Sequence, residues 1–453
     1  MKHIAIFSFA CLFSLFAKGQ EITGSWTGPL KVQGISLTIN IHIVKEGGEL
    51  SSTFDSPDQG AFGLAFDRTT FDQGKLICHA PAMGLIYEAM LDGAILKGHW
   101  SQGGQKFPLD LHRGSEGVMP SRPQMPVKPY PYREVEVEVK RPDVGIVLRG
   151  TLTIPAGDGP FPAAVLISGS GPQNRDLELL GHSPFLVLAD HLTRRGVAVL
   201  RYDDRGTAAS TGDFQSATSA DFAEDAEAVW DFLRSQEAVQ ADRVGFIGLS
   251  EGGLIAPMIA ARNGHVGFVV MMAGPTIPGE ALLLAQTEAV MQAQGEKPSE
   301  IASALKVNGQ LYAWLAGHET VDEAAGDFDR FLASVLEEFP QHDEALNSAR
   351  AMVETPWFQY FMRYDPLPAL REMDGPALAL FGGKDTQVPA EVNAVALRPW
   401  FEEVHDQRII RVFDQCNHLF QTADTGAPKE YVTIEETMAP EVMEFIANWI
   451  LSL

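Results

Sequence analysis

The sequence feature that most constrains this chain is a G-x-S-x-G motif at residues 248–252, with Ser250 at its centre. An apolar, strand-like run at 244–249 precedes the serine, and an alanine-rich, helix-like run at 253–262 follows it. A serine on a sharp turn between a strand and a helix has its hydroxyl lifted clear of the sheet, and the flanking glycines permit so tight a turn. We therefore predict that Ser250 is a nucleophile.

A carboxylate and an imidazole follow the serine in the order that this architecture requires. Asp385 and His418 each come directly after an apolar, strand-like run. A serine hydroxyl is a weak nucleophile, so an imidazole must accept its proton while a carboxylate orients and stabilises the imidazole. We predict that His418 is the general base and acid and that Asp385 orients it. The alternatives are an ordinary turn residue and an ordinary loop histidine, and Asp414, although nearer to His418, is interpreted as a strand-end residue.

An oxyanion hole needs two backbone N–H groups directed at the developing negative oxygen. One is predicted to come from Glu251, the residue after the nucleophile. The other is predicted in the glycine-rich turn 168–172, which follows the buried strand-like run 163–167. Ser170 is the preferred donor in this turn and Gly171 is the alternative. A phosphate-binding loop is disfavoured, because no Gly-Lys-Ser or Gly-Lys-Thr follows the glycines.

Together these motifs resemble the α/β-hydrolase fold over about residues 132–453. The strings SGSGPQNRD (168–176), RYDDRG (201–206) and GGKDTQVP (382–389) resemble secreted or periplasmic bacterial esterases near the serine aminopeptidase and prolyl oligopeptidase-like branches. The family's oxyanion loop usually begins with His-Gly, whereas this chain has Ser168-Gly169, which leaves the identity of the donor open. The resemblance implies a mostly parallel sheet covered by helices, with a helical lid insertion.

The charged run at 201–206 ends a strand on the same edge of the sheet as the predicted catalytic loops. Its aspartates and arginines could contact a substrate. The preferred interpretation is a salt-bridged turn that holds the loop in shape.

A helical insertion is predicted within the hydrolase region. The strand-like runs 267–272 and 377–380 lie about 100 residues apart, which is far longer than an ordinary crossover connection. Apolar residues between them recur with helical spacing, and we predict a lid over Ser250 at about 276–365. Its aromatic residues are expected to line an acyl or aryl pocket, although most must also pack within the lid; they are Trp314, Trp357, Phe358, Tyr360 and Phe361.

A separate small domain is predicted before the hydrolase region. Residues 20–114 contain short alternating runs separated by glycines, which is typical of an antiparallel barrel or sandwich. Trp26 and Trp100 are interpreted as core residues, and the alternative is an aromatic platform for a sugar. Residues 115–131 contain five prolines, and we predict that this segment is a semi-rigid linker.

The first residues of the chain resemble a secretory signal peptide. A basic start is followed by an apolar stretch and by small residues at the cleavage spacing, so we predict a signal peptide at 1–19 and an exported, periplasmic or secreted protein. The alternative of a membrane anchor is disfavoured, because the apolar stretch is shorter than the roughly 20 residues of a spanning helix. No later segment is predicted to span a membrane.

Charge and cysteine content limit the partners. The net charge is −25, and it becomes −27 when Lys2 and Lys18 are removed with the signal peptide. An acidic surface repels nucleic acid, so no nucleic-acid partner is expected. Three cysteines make no disulfide framework, no Cys or His spacing typical of zinc is present, and no cofactor is predicted. Cys416 lies two residues from His418 but lacks an activating pattern of its own.

The sequence thus predicts an exported serine hydrolase that cleaves a small-molecule carboxylic ester through an acyl-enzyme. The same-fold alternative is a serine peptidase of the aminopeptidase type, in which Glu251 could hold a substrate amine. A glycan-binding protein that uses the hydrolase fold as a scaffold is the alternative from another class. A third possibility combines both, with an acylated glycan as the substrate.

Overall fold

The computed structural model describes residues 22–32, 35–56, 61–102, 105–114, 121–401 and 407–453. These residues divide into two compact units, Met1–Met119 and Pro120–Leu453. The predicted signal peptide at 1–19 and residues 115–120 of the predicted linker lie outside the described residues. Within the described ranges, no helix is both long and apolar enough to cross a membrane.

The first unit is an antiparallel sheet, as the alternating sequence pattern predicts. Its neighbouring strands follow the order β4-β3-β2-β1-β9-β8-β7-β6-β5. The strands are β1 Gly24–Val32, β2 Ile35–Glu46, β3 Glu49–Ser56, β4 Ala61–Phe66, β5 Arg68–Asp72, β6 Lys75–Ala80, β7 Leu85–Asp92, β8 Ile95–Gln102 and β9 Gln105–Arg113.

This sheet curls around a single aromatic core. The rings of Phe54 in β3 and Trp100 in β8 are 5.1 Å apart, although three strands lie between β3 and β8 in the sheet. The hydroxyls of Ser52 in β3 and Thr69 in β5 lie 2.6 Å apart, so a hydrogen bond connects strands that lie near the two opposite edges of the sheet. Trp26 and Trp100 are 0% and 3% exposed, so they fill the core of a small barrel. The alternative that these tryptophans form a sugar platform is wrong.

The second unit contains an eight-stranded sheet in the order β10-β11-β13-β12-β14-β15-β16-β17. Strand β11 is antiparallel to both of its neighbours, and the pairs from β13 to β17 are parallel. The strands are β10 Arg133–Arg141, β11 Ile146–Ile154, β12 Phe161–Ile167, β13 Ala198–Tyr202, β14 Val239–Leu249, β15 Val269–Met272, β16 Ala377–Gly382 and β17 Arg408–Phe413.

Helices cover this sheet. Every residue of β13 and β16 is buried, and consecutive strand residues face opposite sides, so both faces of the sheet are shielded from solvent. The expected architecture, a mostly parallel sheet covered by helices and preceded by a small β domain, is confirmed. The helices are α1 Pro184–Arg194, α2 Ser219–Arg234, α3 Glu251–Arg262, α4 Gly279–Gln294, α5 Pro298–Ala316, α6 Val321–Glu338, α7 Asp343–Val353, α8 Pro356–Arg363, α9 Leu367–Glu372, α10 Ala390–Phe401 and α11 Pro440–Ser452.

Helices α4 to α9 form an insertion between β15 and β16. The insertion remains helical to Glu372, several residues beyond the predicted end at about 365. It has a hydrophobic core of its own, in which the ring of Trp314 stacks on that of Phe331 at 4.7 Å. The helical periodicity of the sequence therefore located the insertion, and its function as a lid remains a prediction.

The described part of the predicted linker belongs to the second unit. The guanidinium of Arg122 donates hydrogen bonds to the carbonyls of Leu180 and Val432 at 3.0 and 2.9 Å. The side-chain amide of Gln124 donates to the carbonyl of Met438 at 2.6 Å. Because these side chains bind distant loops of the hydrolase unit, residues 121–131 are held on it rather than extending freely.

Candidate active site

Ser250 occupies the turn between strand β14 and helix α3, as the motif predicts. Its backbone has φ 56° and ψ −119°, a combination that residues with a side chain rarely adopt. The Ser250 N–H donates to the carbonyl of Met272 at 2.8 Å, and the Gly253 N–H donates to the carbonyl of Ser250 at the same distance. The surrounding chain therefore holds the serine in a strained turn at the carboxyl end of a central strand.

The two glycines of the motif permit contacts that no other residue could make. A Cβ on Gly248 would lie 1.9 Å from the carbonyl oxygen of Gly252. A Cβ on Gly252 would lie 2.1 Å from the carbonyl oxygen of Ile167, the last residue of β12. Real Cβ atoms do not approach so closely, so the turn requires glycine at both positions.

His418 and Asp385 form a buried pair on the loops that follow β17 and β16. Nδ1 of His418 lies 2.9 Å from Oδ2 of Asp385. The other carboxylate oxygen accepts the backbone N–H groups of Gln387 and Val388 at 2.8 and 2.9 Å. Asp385 is thus fixed by its own loop and presents one oxygen to the imidazole.

Asn417 braces the loop that carries the histidine, a function that the sequence analysis did not assign to it. Its side-chain oxygen accepts the N–H groups of Leu419 and Gln421, both at 3.0 Å. Its amide nitrogen donates to Oε1 of Gln421 at 2.9 Å. An asparagine just before a loop histidine is the only local signal, since short polar side chains often bond to nearby backbone.

Cys416, on the same loop, has an unreactive thiol. Its side chain is buried, and burial raises the pKa of the thiol to about 12. A thiol with so high a pKa stays protonated at neutral pH and is a poor nucleophile. This agrees with the preference for Ser250 over Cys416.

Ser250 and His418 border one cavity of about 370 Å³. The helical insertion supplies much of its apolar lining, through Leu282, Leu283, Met352, Trp357, Phe358 and Phe361. Three of the five predicted pocket aromatics are therefore in place. Trp314 instead packs inside the insertion, and Tyr360 stacks on Tyr364 at 5.7 Å. Met352 and the two leucines were not predicted to line the cavity, because helical spacing alone does not distinguish them from core residues.

Both predicted oxyanion donors lie beside Ser250. Glu251 is the first residue of α3, and the first N–H groups of a helix have no acceptor within it. Ser170 lines the cavity, and the preceding Gly169 is so close that a Cβ there would lie 3.2 Å from Cβ of Ser250. The residues are brought together as the sequence predicts, and their function as donors is part of the proposal below.

The side chain of Glu251 is occupied by structural hydrogen bonds. It is 2% exposed, and burial raises its pKa. Its Oε1 accepts the Ser219 hydroxyl at 2.6 Å and the indole N–H of Trp357 at 2.8 Å. The carboxylate therefore connects the turn of the nucleophile to helices α2 and α8, which weakens the idea that it holds a substrate amine.

The charged run at 201–206 forms the salt-bridged turn that was the preferred interpretation. The guanidinium of Arg175 donates to both oxygens of Asp203, at 3.1 and 2.8 Å. Nε of Arg205 donates to Asp225 at 2.6 Å. Neither residue of the run lines the cavity that contains Ser250.

Asp204 has an unusual environment within this turn. Its carboxylate is buried, and burial raises its pKa to about 7, with the nearby carboxylates of Glu251 and Asp225 adding to the effect. The raised pKa means that folded protein keeps a proton which the unfolded chain loses above about pH 4. The free energy of unfolding should therefore fall as the pH rises towards 7.

The substitution Asp204→Asn should remove this pH dependence, because asparagine resembles the neutral acid and does not titrate. We expect the melting temperature of the variant, relative to wild type, to rise between pH 5 and pH 7 and to level off above that. Thermal unfolding of both proteins at pH 5, 6, 7 and 8 gives the difference between their melting temperatures. The contributions of the other carboxylates are the same in both proteins and cancel in this difference. A difference that is constant with pH would contradict the assignment.

A second hydrogen-bonded group of serine, histidine and aspartate side chains lies in the barrel. Nδ1 of His42 is 2.9 Å from the Ser25 hydroxyl, and Nε2 is 2.6 Å from Asp55. The ring is reversed relative to His418, and the three residues lie on adjacent strands rather than on sharp turns. We interpret this group as a polar brace across β1, β2 and β3, in which the Asp55 hydrogen bond raises the pKa of His42.

Comparisons with known proteins agree with this architecture. A family model for the X-Pro dipeptidyl-peptidases (S15 family) matches residues 144–357. Esterase EstD of Thermotoga maritima is 27% identical over 307 residues, which cover 67% of this chain and 65%, just under two thirds, of that relative.

Solved structures of similar proteins include two hydrolases. An esterase of Pyrococcus furiosus, Pf2001, has a TM-score of 0.43 at 15% identity and covers 71% of this chain and 93% of its own. The α/β hydrolase GrgF of Penicillium sp. sh18 has a TM-score of 0.44 at 16% identity, with 71% and 98% covered.

The assignment depends on the sheet and on its sharp turn. A mostly parallel sheet with one antiparallel strand carries a serine at the turn after a central strand, and an aspartate and a histidine follow on later strand ends. The match to the peptidase family, at residues 144–357, falls within this unit. The second unit therefore has the architecture of an α/β-hydrolase fold, and its sequence is similar to the X-Pro dipeptidyl-peptidase family model.

Proposed function

We propose that this hydrolase cleaves carboxylic esters through an acyl-enzyme formed on Ser250. The observation that carries the proposal is the arrangement of three side chains. Ser250 lies in a strained turn and shares a cavity with His418, whose Nδ1 is 2.9 Å from a fixed Asp385 carboxylate. Nucleophile, base and orienting group are the parts that serine catalysis requires.

In the first step, Oγ of Ser250 attacks the ester carbonyl while His418 accepts its proton. Because Nδ1 of His418 faces Asp385, Nε2 is the nitrogen that acts as the base. The same nitrogen then gives the proton to the departing alcohol. Asp385 holds the tautomer and stabilises the imidazolium.

The negative oxygen of the tetrahedral intermediate would be stabilised by the N–H groups of Glu251 and Ser170. Donors fixed in advance cost no reorganisation during the reaction, and removing one from such a site typically lowers kcat by about 10²- to 10³-fold. In the second step, His418 activates a water molecule that hydrolyses the acyl-enzyme and regenerates Ser250.

The cavity favours a neutral acyl or aryl group of small to medium size. Its lining from the insertion is apolar apart from Gln286, and Glu251 is its only acidic residue among the described side chains. A space of about 370 Å³ is within the usual range for small-molecule sites. Helices α4, α7 and α8 would act as a lid that covers the acyl group, and the Trp357–Glu251 hydrogen bond would hold this lid on the catalytic turn.

We also propose that the enzyme acts outside the cytoplasm, in the periplasm or as a secreted protein. The support is the signal-peptide pattern at 1–19. Comparing the mass of the protein in periplasmic and whole-cell fractions would test this, since cleavage removes a segment of defined length.

A serine peptidase is the second candidate, because the matching family model is that of X-Pro dipeptidyl-peptidases. Such an enzyme would need a group that holds the amine of the peptide. Glu251 borders the cavity, but its Oε1 already accepts hydrogen bonds from Ser219 and Trp357. The ester proposal requires no such group and is therefore preferred.

A panel of chromogenic substrates separates the two candidates. We expect residues 20–453 to hydrolyse p-nitrophenyl esters of short to medium acyl chains, and to leave aminoacyl and glycyl-prolyl anilides intact. The reason is that the insertion contributes a mostly apolar lining, and Glu251, the one carboxylate among the described lining residues, already accepts two hydrogen bonds. Higher kcat/KM for the anilides would support the peptidase, and no turnover of either the esters or the anilides would contradict both proposals.

A further inference from the structure

A single carboxylate holds both ends of the loop that we assign to the oxyanion hole. The Ser168 hydroxyl donates to Oδ1 of Asp204 at 2.8 Å, and the Gln173 N–H donates to Oδ2 at 2.9 Å. The Asp204 N–H in turn donates to the carbonyl of Gln173 at 3.1 Å. Residues 169–172, which include the predicted donor Ser170, are the segment between these two attachment points.

This loop has little room to move. Gly169 packs against Ser250 so tightly that a Cβ at position 169 would lie 3.2 Å from Cβ of Ser250. A small cavity is bordered by Ser168, Gly169 and Gly171 of the loop and by Asp204 and Glu251. Loss of the Asp204 hydrogen bonds would release both attachment points, and the loop would then shift from its position against Ser250.

Asp204 is not part of the lining of the candidate active site. It does not border the cavity that contains Ser250 and His418, and its side chain is buried. No described Lys or Arg forms an ion pair with Asp204, and a buried carboxylate of this kind is costly unless it is hydrogen-bonded; here its acceptors are filled mainly by the loop itself. Such an arrangement fits a group that fixes the loop rather than one that contacts a substrate.

We propose that Asp204, acting through Ser168 and Gln173, is a positioning residue that fixes the place of the oxyanion loop, residues 169–172, beside Ser250. The inference rests on the proposed function of Ser250 as a nucleophile. Its consequence is that the Ser168–Asp204 hydrogen bond affects the transition state more than the bound substrate. A donor displaced by about 1 Å can cost on the order of 10²-fold in rate.

The substitution Ser168→Ala tests this with the smallest change. We expect kcat for the best ester to fall about tenfold or more with KM changed less than about twofold, because an oxyanion donor acts only in the transition state. Ser168→Thr keeps the hydroxyl and should restore most of kcat. Asp204→Asn, assayed at pH 8 where the wild-type carboxyl is mainly ionised, should resemble Ser168→Ala or be worse, since its amide group would face one of the two donors.

Ser210→Ala is the matched control. The Ser210 hydroxyl is also buried and donates to the carbonyl of Asp203 at 2.7 Å, but it binds no part of the oxyanion loop. This variant should lose a comparable amount of thermal stability while kcat stays near that of wild type. An equal loss of kcat in Ser168→Ala and Ser210→Ala would overturn the proposal, since it would indicate general destabilisation.

The labelling rate of Ser250 with an alkyl fluorophosphonate makes the test independent of the ester proposal. Oγ of Ser250 attacks phosphorus, fluoride leaves, His418 accepts the proton, and the phosphoryl oxygen occupies the oxyanion hole. We expect slower labelling in Ser168→Ala than in Ser168→Thr and wild type. Equal rates would overturn the positioning role, whereas slow labelling of the variant with no ester turnover by wild type would support it and contradict only the ester substrate.

Discussion

Replacing Ser250 with alanine is expected to abolish ester hydrolysis while the fold survives. The hydroxyl is the proposed attacking group, and a serine hydrolase that loses it typically falls by a factor on the order of 10⁴ or more in kcat. Alanine has the same Cβ as serine, so the strained φ of 56° at this position costs the variant no more than the wild type. Measurement of kcat/KM on the best ester, together with the melting temperature, checks both parts.

The control for this experiment comes from the barrel. Ser25, His42 and Asp55 also form a hydrogen-bonded chain, and a structural brace of this kind should contribute nothing to turnover. Ser25→Ala should therefore retain wild-type activity. If Ser250→Ala kept substantial activity and the double variant lost it, the nucleophile would lie in the barrel and the assignment of Ser250 would be wrong.

The positions of Ser250, Asp385 and His418 were predictable because each follows a strand in the parallel part of the sheet. In a parallel sheet the carboxyl ends of the strands meet at one edge, so residues just beyond them converge however far apart they are in sequence. The Asp385–His418 pair, separated by 33 residues, illustrates this rule. Local patterns of apolar residues were sufficient to identify the strands.

The side-chain contacts that support the site could not be predicted in this way. Ser168 and Asp204 are 36 residues apart, and Glu251 and Trp357 are 106 residues apart, so no local period connects the partners. Asp204 was recognised only as part of a charged turn. Its contact with the oxyanion loop depends on the order of β12, β13 and β14 in the sheet, which places β12 between the other two.

The same limit applies to aromatic residues. Helical spacing identified the insertion but did not separate Trp357, which borders the cavity, from Trp314, which packs inside the insertion. In the barrel, alternation divides each strand into two faces, and only the closure of the sheet decides that Trp26 and Trp100 face inward. Packing across space, rather than periodicity, determines these positions.

The substitution Gly252→Ala is expected to damage stability and activity together. Its Cβ would lie 2.1 Å from the carbonyl oxygen of Ile167 and 2.7 Å from that of Ser168. Relief of this overlap must separate helix α3 from the end of β12, which leads directly into the oxyanion loop. Overpacking of a rigid contact typically costs about 1–3 kcal/mol and sometimes more, and the separation should also move Ser250 away from Ser170. We expect a melting temperature several degrees lower and ester turnover reduced by at least about 10²-fold.

Gly309→Ala is the matched control, because a Cβ at this position in helix α5 would meet nothing within 4 Å. Alanine is a better helix former than glycine by about 0.5–1 kcal/mol, so this variant should be equally or more stable and fully active. The two substitutions add the same methyl group, but only the one at Gly252 overlaps with backbone atoms, those of Ile167 and Ser168. A Gly252→Ala protein with wild-type stability and turnover would contradict the close approach of β12 to the turn, on which both the proposed oxyanion hole and its support by Asp204 depend.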